Sequence, residues 1–352
     1  MNIVFARLID CFNYIDLIPL SFVVVICWGI RRAPPSRFFD TPLNKHQGAA
    51  LRGVFALVVM LFHLAMWSSP RLGNLFPRFI FWGSPSVAVF LGLSGYGLAV
   101  QSRMLPNYLN EFWHRRLAVL LPPYVFISVL YIWQLYQFEL PIGERLQLQL
   151  GFIAHGWYVA VLLGFYAMFY IGLRGNNPFP ERIAQVCLLS IGYTFLLTLY
   201  SSVTGYLWCS NGAFFVGLIL GAFPDTMGRV MKNAWWPIVI LGIVVAFANC
   251  LWGVHERSIY DTTMFLGNAL LFTGVVAISW KVQLGNFVLK WLGAISYELY
   301  LVHGWVMREL LQWWPERGGG YVYAVVIVSL AMASALHWCF VAVRKKFAWS
   351  AF

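Results

Sequence analysis

The chain of 352 residues is 61% hydrophobic, 18% aromatic and only 11% charged, with a net charge of +11. Soluble globular proteins carry about 45–50% apolar and about 25% charged residues, and a fold of this size cannot hide the excess from water. A lipid bilayer is the solvent for most of the chain, which excludes a cytosolic enzyme, a secreted disulfide scaffold and a disordered segment.

Apolar runs of about 17–25 residues predict eleven transmembrane helices, at 14–30, 50–67, 79–100, 117–137, 153–173, 183–202, 205–223, 234–252, 262–279, 288–312 and 321–343. The sixth and seventh are nearly continuous, so ten is the alternative count. The fold class is an all-α, polytopic transmembrane bundle. The first run is followed by Arg31-Arg32 and no small-residue cleavage motif, so it reads as a retained span rather than a signal peptide.

The loops set the orientation. The segments after odd-numbered spans, with the C-terminal tail and counting Lys290 at the very start of the tenth run, hold 16 of the 24 Lys and Arg residues; the opposite side holds 6, and Arg52 and Arg308 fall inside spans. The positive-inside rule then places the N-terminus outside and the C-terminus in the cytoplasm. The basic excess follows loop topology, without the basic helix or fold signature of a nucleic-acid binder. The six cysteines, Cys11, Cys27, Cys187, Cys209, Cys250 and Cys339, form no CxxC pair, so no metal site or disulfide framework is expected. No loop is long enough for a soluble domain, and any chemistry belongs within the membrane or at its faces.

Ionisable groups inside apolar spans are costly and mark function. Arg52 and His63 lie eleven residues apart on the second run, about three turns and about 16 Å along one helical face. Arg52 alone reads equally as a snorkelling anchor, and His63 alone as a hydrogen bond between helices. Together they suggest a path with an anion held at the cytoplasmic mouth and a proton-transfer group at mid-depth. In the tenth run Ser296, Tyr300 and His303 share one face, and Glu298 and Glu309 share another stripe. An intramembrane glutamate needs a partner, and Arg308 or a histidine is the expected one. Trp157 reads as interfacial belt or as a stacking surface for a sugar.

Arg followed after ten residues by His resembles the signature of the acyltransferase-3 family of integral membrane acyltransferases. Four further segments resemble its motifs in order: Phe90-Leu91-Gly92-Leu93-Ser94-Gly95-Tyr96, Phe112-Trp113-His114-Arg115-Arg116-Leu117 with Leu121-Pro122-Pro123-Tyr124, His155-Gly156-Trp157-Tyr158, and Ile295-Ser296-Tyr297-Glu298-Leu299-Tyr300-Leu301-Val302-His303. The resemblance divides the chain into 1–43, an extra N-terminal helix and cytoplasmic linker, and 44–352, an acyltransferase-3-like transmembrane domain. A third arginine common in the family's basic loop is replaced by Val119.

The resemblance implies acetyl-CoA or another acyl-CoA as co-substrate, no metal, and a hydroxyl of a glycan or lipid-linked sugar as acceptor, within the bacterial cytoplasmic (inner) membrane and in contact with its lipid. His63 and Arg52 are the implied catalytic pair, with His63 as general base or, alternatively, a transient acyl carrier. Arg115, Arg116, Arg103, Ser94 and Tyr96 are the implied donor contacts. His155, Trp157, Tyr158, Glu298, Tyr300 and His303 are implied on the acceptor side. A transporter or exporter of a glycan is the rival reading. A membrane glycosyltransferase is disfavoured because the outer loop 68–78 has no carboxylate. Soluble-type motifs also fail, since Gly92-Leu93-Ser94-Gly95-Tyr96 lacks the last glycine of Gly-x-Ser-x-Gly.

Overall fold

The computed structural model describes residues 14–68, 73, 75–137, 156–200, 207–252 and 257–346. These form an all-α bundle with one two-residue strand pair. The helices are α1 (Leu17–Cys27), α2 (Lys45–Trp67), α3 (Gly83–Met104), α4 (Phe112–Gln137), α5 (Gly156–Leu173), α6 (Phe179–Tyr200), α7 (Gly212–Ala222), α8 (Pro224–Asn233), α9 (Trp235–Trp252), α10 (Arg257–Ser279), α11 (Phe287–Ala294), α12 (Ser296–Leu311) and α13 (Gly319–Lys346).

Seven described helices are long and apolar enough to cross a bilayer, namely α2 to α6, α10 and α13. This is a multi-pass membrane protein. Four of the eleven runs expected from hydropathy take a broken or shorter form among the described residues. The run at 288–312 breaks at Ile295 into α11 and α12. The apolar run before Phe223 contributes only the eleven-residue α7, which turns by 109° into α8. The first and eighth runs give shorter apolar helices, Tyr14–Cys27 and Trp235–Val245. Hydropathy averages over a window and is blind to backbone breaks, which is why it does not show these.

Helix α2 is the most enclosed of the seven candidate spans, with Ala56, Val59, Met60, Leu61 and Leu64 all within the core. Outward faces such as Leu188, Phe195 and Leu199 of α6 are exposed and apolar, as lipid contact requires. Small residues let the inner helices touch backbone to backbone. A Cβ on Gly53 of α2 would stand 2.7 Å from the Gly293 amide nitrogen and from the Leu289 carbonyl on α11. A Cβ on Gly293 would collide with the Ala49 carbonyl, and Gly95 and Gly217 join α3 and α7 in the same way.

The segment between α1 and α2 is clamped rather than loose. Strand β1 (Arg31–Arg32) pairs antiparallel with β2 (Val282–Gln283). Lys281 is buried and its ammonium donates to the carbonyls of Pro34, Pro35 and Arg37 at 3.3, 2.7 and 2.6 Å. Two helix caps share the work. Asn44 caps α2 through Gln47 N–H while its amide donates to Gln283. Asn286 caps α11 through Leu289 N–H while donating to the Val25 and Trp28 carbonyls. Hydrogen bonds to a charged donor contribute about 1.5–3 kcal/mol each. Lys281→Met is expected to free the segment 31–40, and trypsin then cuts at Arg31, Arg32 or Arg37 at least about tenfold faster; unchanged proteolysis would contradict the clamp.

Candidate functional site

Two histidines from helices far apart in sequence meet inside the bundle. His63 Nδ1 lies 3.0 Å from His303 Nε2. His303 Nδ1 lies 2.9 Å from the Leu299 carbonyl, and His63 Nδ1 lies 3.0 Å from the Val59 carbonyl. A carbonyl only accepts, so His303 carries its proton on Nδ1 and offers the Nε2 lone pair. His63 Nδ1–H is then shared between the Val59 carbonyl and His303 Nε2. This fixes the tautomer of His63 and leaves its Nε2 as the basic nitrogen. His303 is fully buried and His63 half-buried, with the Phe62 ring edge-on at 4.7 Å.

Three turns earlier on α2, Arg52 lines a cavity of about 460 Å³. Its walls come from α2, α3, α4, α5 and the α11–α12 break, which places Gly293, Ala294 and Ser296 at the lining. The Gly53–Gly293 contact lays Arg52 against this break. Polar groups run along one wall. Ser94 Oγ and Tyr166 Oη are 3.1 Å apart. The Arg116 guanidinium stacks 5.5 Å from the Tyr166 ring, donates to Gln101 Oε1 at 3.0 Å and to the Tyr108 hydroxyl. Tyr297 donates to the Leu120 carbonyl at 2.8 Å.

Among the described residues, the cavity that Arg52 lines does not take in His63. The cavity ends on Tyr158 and Tyr300, whose rings are 5.1 Å apart, and Tyr300 stands 6.2 Å from the His303 ring. His63 is not among the lining residues.

The expected donor set divides in two. Arg52, Ser94 and Arg116 share the cavity. Tyr96 and Arg103 project from the other side of α3 into a second cavity. Arg115 lines neither and pairs with Glu111 at 2.9 Å. The acceptor-side set also divides. Tyr158 and Tyr300 stand in the Arg52 cavity, His303 joins His63, and Trp157 packs edge-on against Tyr158 at 6.2 Å. His155 lies outside the described residues. The buried Glu298 is partnered by His337 of α13, Nδ1 to Oε1 3.2 Å, and Glu309 accepts from Gln134 at 2.7 Å.

The comparison that decides the family covers most of the chain. The family model described as an acyltransferase domain, that of acyltransferase-3, matches residues 49–344. The chain belongs to the acyltransferase-3 family. No curated protein and no solved structure gave a significant match.

As an acyltransferase-3 member the chain is a membrane acyltransferase, and the family implies an acyl donor, an acceptor and lipid around the helices. The match starts at residue 49, so the clamped segment 28–44 precedes it. Among the described residues no group of three or more His, Cys, Asp or Glu converges as a metal site would. Sequence reasoning missed Tyr166, Gln101, Gln134 and His337. Tyr166 and Gln101 lie a few residues beyond recognisable motifs, but all four gain meaning only from contacts across 15 to 175 residues.

Proposed function

We propose that this acyltransferase-3 protein moves an acyl group, most simply acetyl, from a coenzyme A thioester to a hydroxyl of a glycan or lipid-linked sugar. The observation that carries the reading is the His63–His303 hydrogen bond, which leaves a defined base in the last turns of α2. Its Nε2 takes the acceptor hydroxyl proton while the oxygen attacks the thioester carbonyl. The C–S bond breaks, and the coenzyme A thiolate takes the proton back from the His63 imidazolium. His303 Nε2 and the Val59 carbonyl both accept from Nδ1–H and stabilise that cation, the role a carboxylate plays in a hydrolase triad.

The cytoplasmic cavity receives the donor. Arg52 and Arg116 provide cationic donors for its phosphates, and a cavity of about 460 Å³ lies in the range of small-molecule sites. The Tyr158 and Tyr300 rings must turn aside for the thioester to reach His63. The loop charges support an orientation with the C-terminus inside, and the family resemblance supports the bacterial cytoplasmic membrane as the location.

Radiolabelled acetyl-CoA supplied to purified protein with isolated glycan or lipid-linked acceptor tests the reaction. Label in the acceptor supports it, and mass spectrometry of surface glycans with and without the gene identifies acyl group and acceptor. Glycan movement across vesicles with no label transferred would replace this reading by transport. Arg52→Ala is expected to raise the donor KM by about 10- to 100-fold, the loss of a charged contact of about 1.5–3 kcal/mol, with a smaller change in kcat. An unchanged KM would remove Arg52 from donor binding.

A further inference from the structure

A second cavity of about 460 Å³ lies across α3 from the first, between α3, α8, α10 and the segment before α2. Arg103 from the end of α3, and Arg229 and Lys232 from α8, converge on it, with Asp40 and Asp225 at the rim and Trp280 in the wall. Lys232 Nζ stands 4.3 Å from the Trp280 ring centroid. Among the described residues none of the three cations makes an ion pair or a side-chain hydrogen bond; the ion pairs are Arg115–Glu111 and Glu298–His337. Five charged side chains therefore surround one cavity without neutralising each other within 4.0 Å.

The setting is that of a membrane surface. Helix α8 turns by 109° from the apolar α7, so a membrane-spanning α7 lays α8 along the interface. Met231 is buried beneath α8, while Val230 and the following Trp236 are exposed. The rim residue Asp40 belongs to the clamped segment, so Lys281 and its three carbonyl partners help to hold the wall in place.

We propose that this cavity binds a phosphate ester carrying free hydroxyls. Arg103, Arg229 and Lys232 hold the phosphate, because guanidinium and ammonium donors match its oxygens in number and charge. The Asp40 and Asp225 carboxylates accept from the hydroxyls and disfavour a second phosphate at the rim. A glycerophosphate lipid headgroup and a soluble sugar phosphate or nucleotide share this chemistry. The interfacial helix favours the headgroup, since basic pockets at the cytoplasmic ends of helices recognise anionic lipids. The site is separate from acyl transfer and does not depend on that reading.

The experiment has two arms on the full chain in nanodiscs. In the first, discs of phosphatidylcholine alone or with phosphatidylglycerol are compared by native mass spectrometry for retained lipid and by thermal midpoint. In the second, glycerol 3-phosphate and adenosine 5′-monophosphate are titrated into phosphatidylcholine discs. Wild type is expected to retain phosphatidylglycerol, or to bind one soluble ester, at least tenfold more strongly than Arg229→Gln/Lys232→Gln. Arg229→Lys/Lys232→Arg, which keeps both charges, stays within threefold of wild type and shows that the loss is not unfolding. A response in the lipid arm alone assigns a headgroup, one in the soluble arm alone assigns a free ester, and a response in both assigns the shared chemistry. Equal behaviour of wild type and the glutamine pair in both arms overturns the site.

Discussion

His63→Ala is expected to lower kcat for acyl transfer by about 10³-fold, within the range that a positioned general base contributes, while the protein stays folded in the membrane. His63 is half-buried and supplies no core packing comparable to Met60 or Leu61 beside it, so the loss falls on chemistry. His303 acts through His63 and its variants separate positioning from packing. His303→Ala lowers kcat by about 10- to 100-fold and leaves the donor KM near wild type. His303→Gln recovers part of the rate, because an amide oxygen can accept from His63 Nδ1–H. Full activity in His63→Ala would end the assignment of the base. Equal losses in both His303 variants would reduce His303 to a packing residue.

Gly293→Val is expected to be the substitution most damaging to the fold. A Cβ at this position collides with the Ala49 carbonyl, and a Cβ on the opposing Gly53 would stand only 2.7 Å from the Gly293 amide nitrogen. Both neighbours are backbone on packed helices, so neither can swing aside as a flexible side chain would. Overpacking a core costs about 1–3 kcal/mol, and backbone on both sides puts this case at the upper end. That is a large part of a total stability of about 5–15 kcal/mol. The purified variant should show a clearly lowered thermal midpoint and a disordered Arg52 cavity, read as weaker donor binding. A midpoint equal to wild type would mean that α2 and α11 do not touch as described. Gly97, which has open space around it, is the matched control: Gly97→Ala leaves the midpoint unchanged.

The legible parts of this protein were those encoded locally. Apolar composition is a property of each run, so the membrane bundle could be read from it. The Arg52–His63 spacing is a property of one helix, so their shared helix and depth difference could also be read. What could not be read depends on meetings across the chain. His303 was legible as a polar residue in an apolar helix, but its bond to His63 spans 240 positions. Arg103 and Arg116 looked alike as basic residues near helix ends, and only the rotation of α3 sends Arg103 to one cavity while Gln101 meets Arg116 at the other. His337 had no neighbour in sequence to distinguish it, and it is the partner that Glu298 required.

The Tyr158–Tyr300 pair has a consequence for the cell's energy balance. A water column running from the Arg52 cavity to a basic imidazole would conduct protons down the electrochemical gradient, because imidazole both takes and gives them near neutral pH. On the proposed mechanism, these two rings, tilted at 59° to each other, stand across that column while no thioester is seated, and an idle copy would keep the membrane potential.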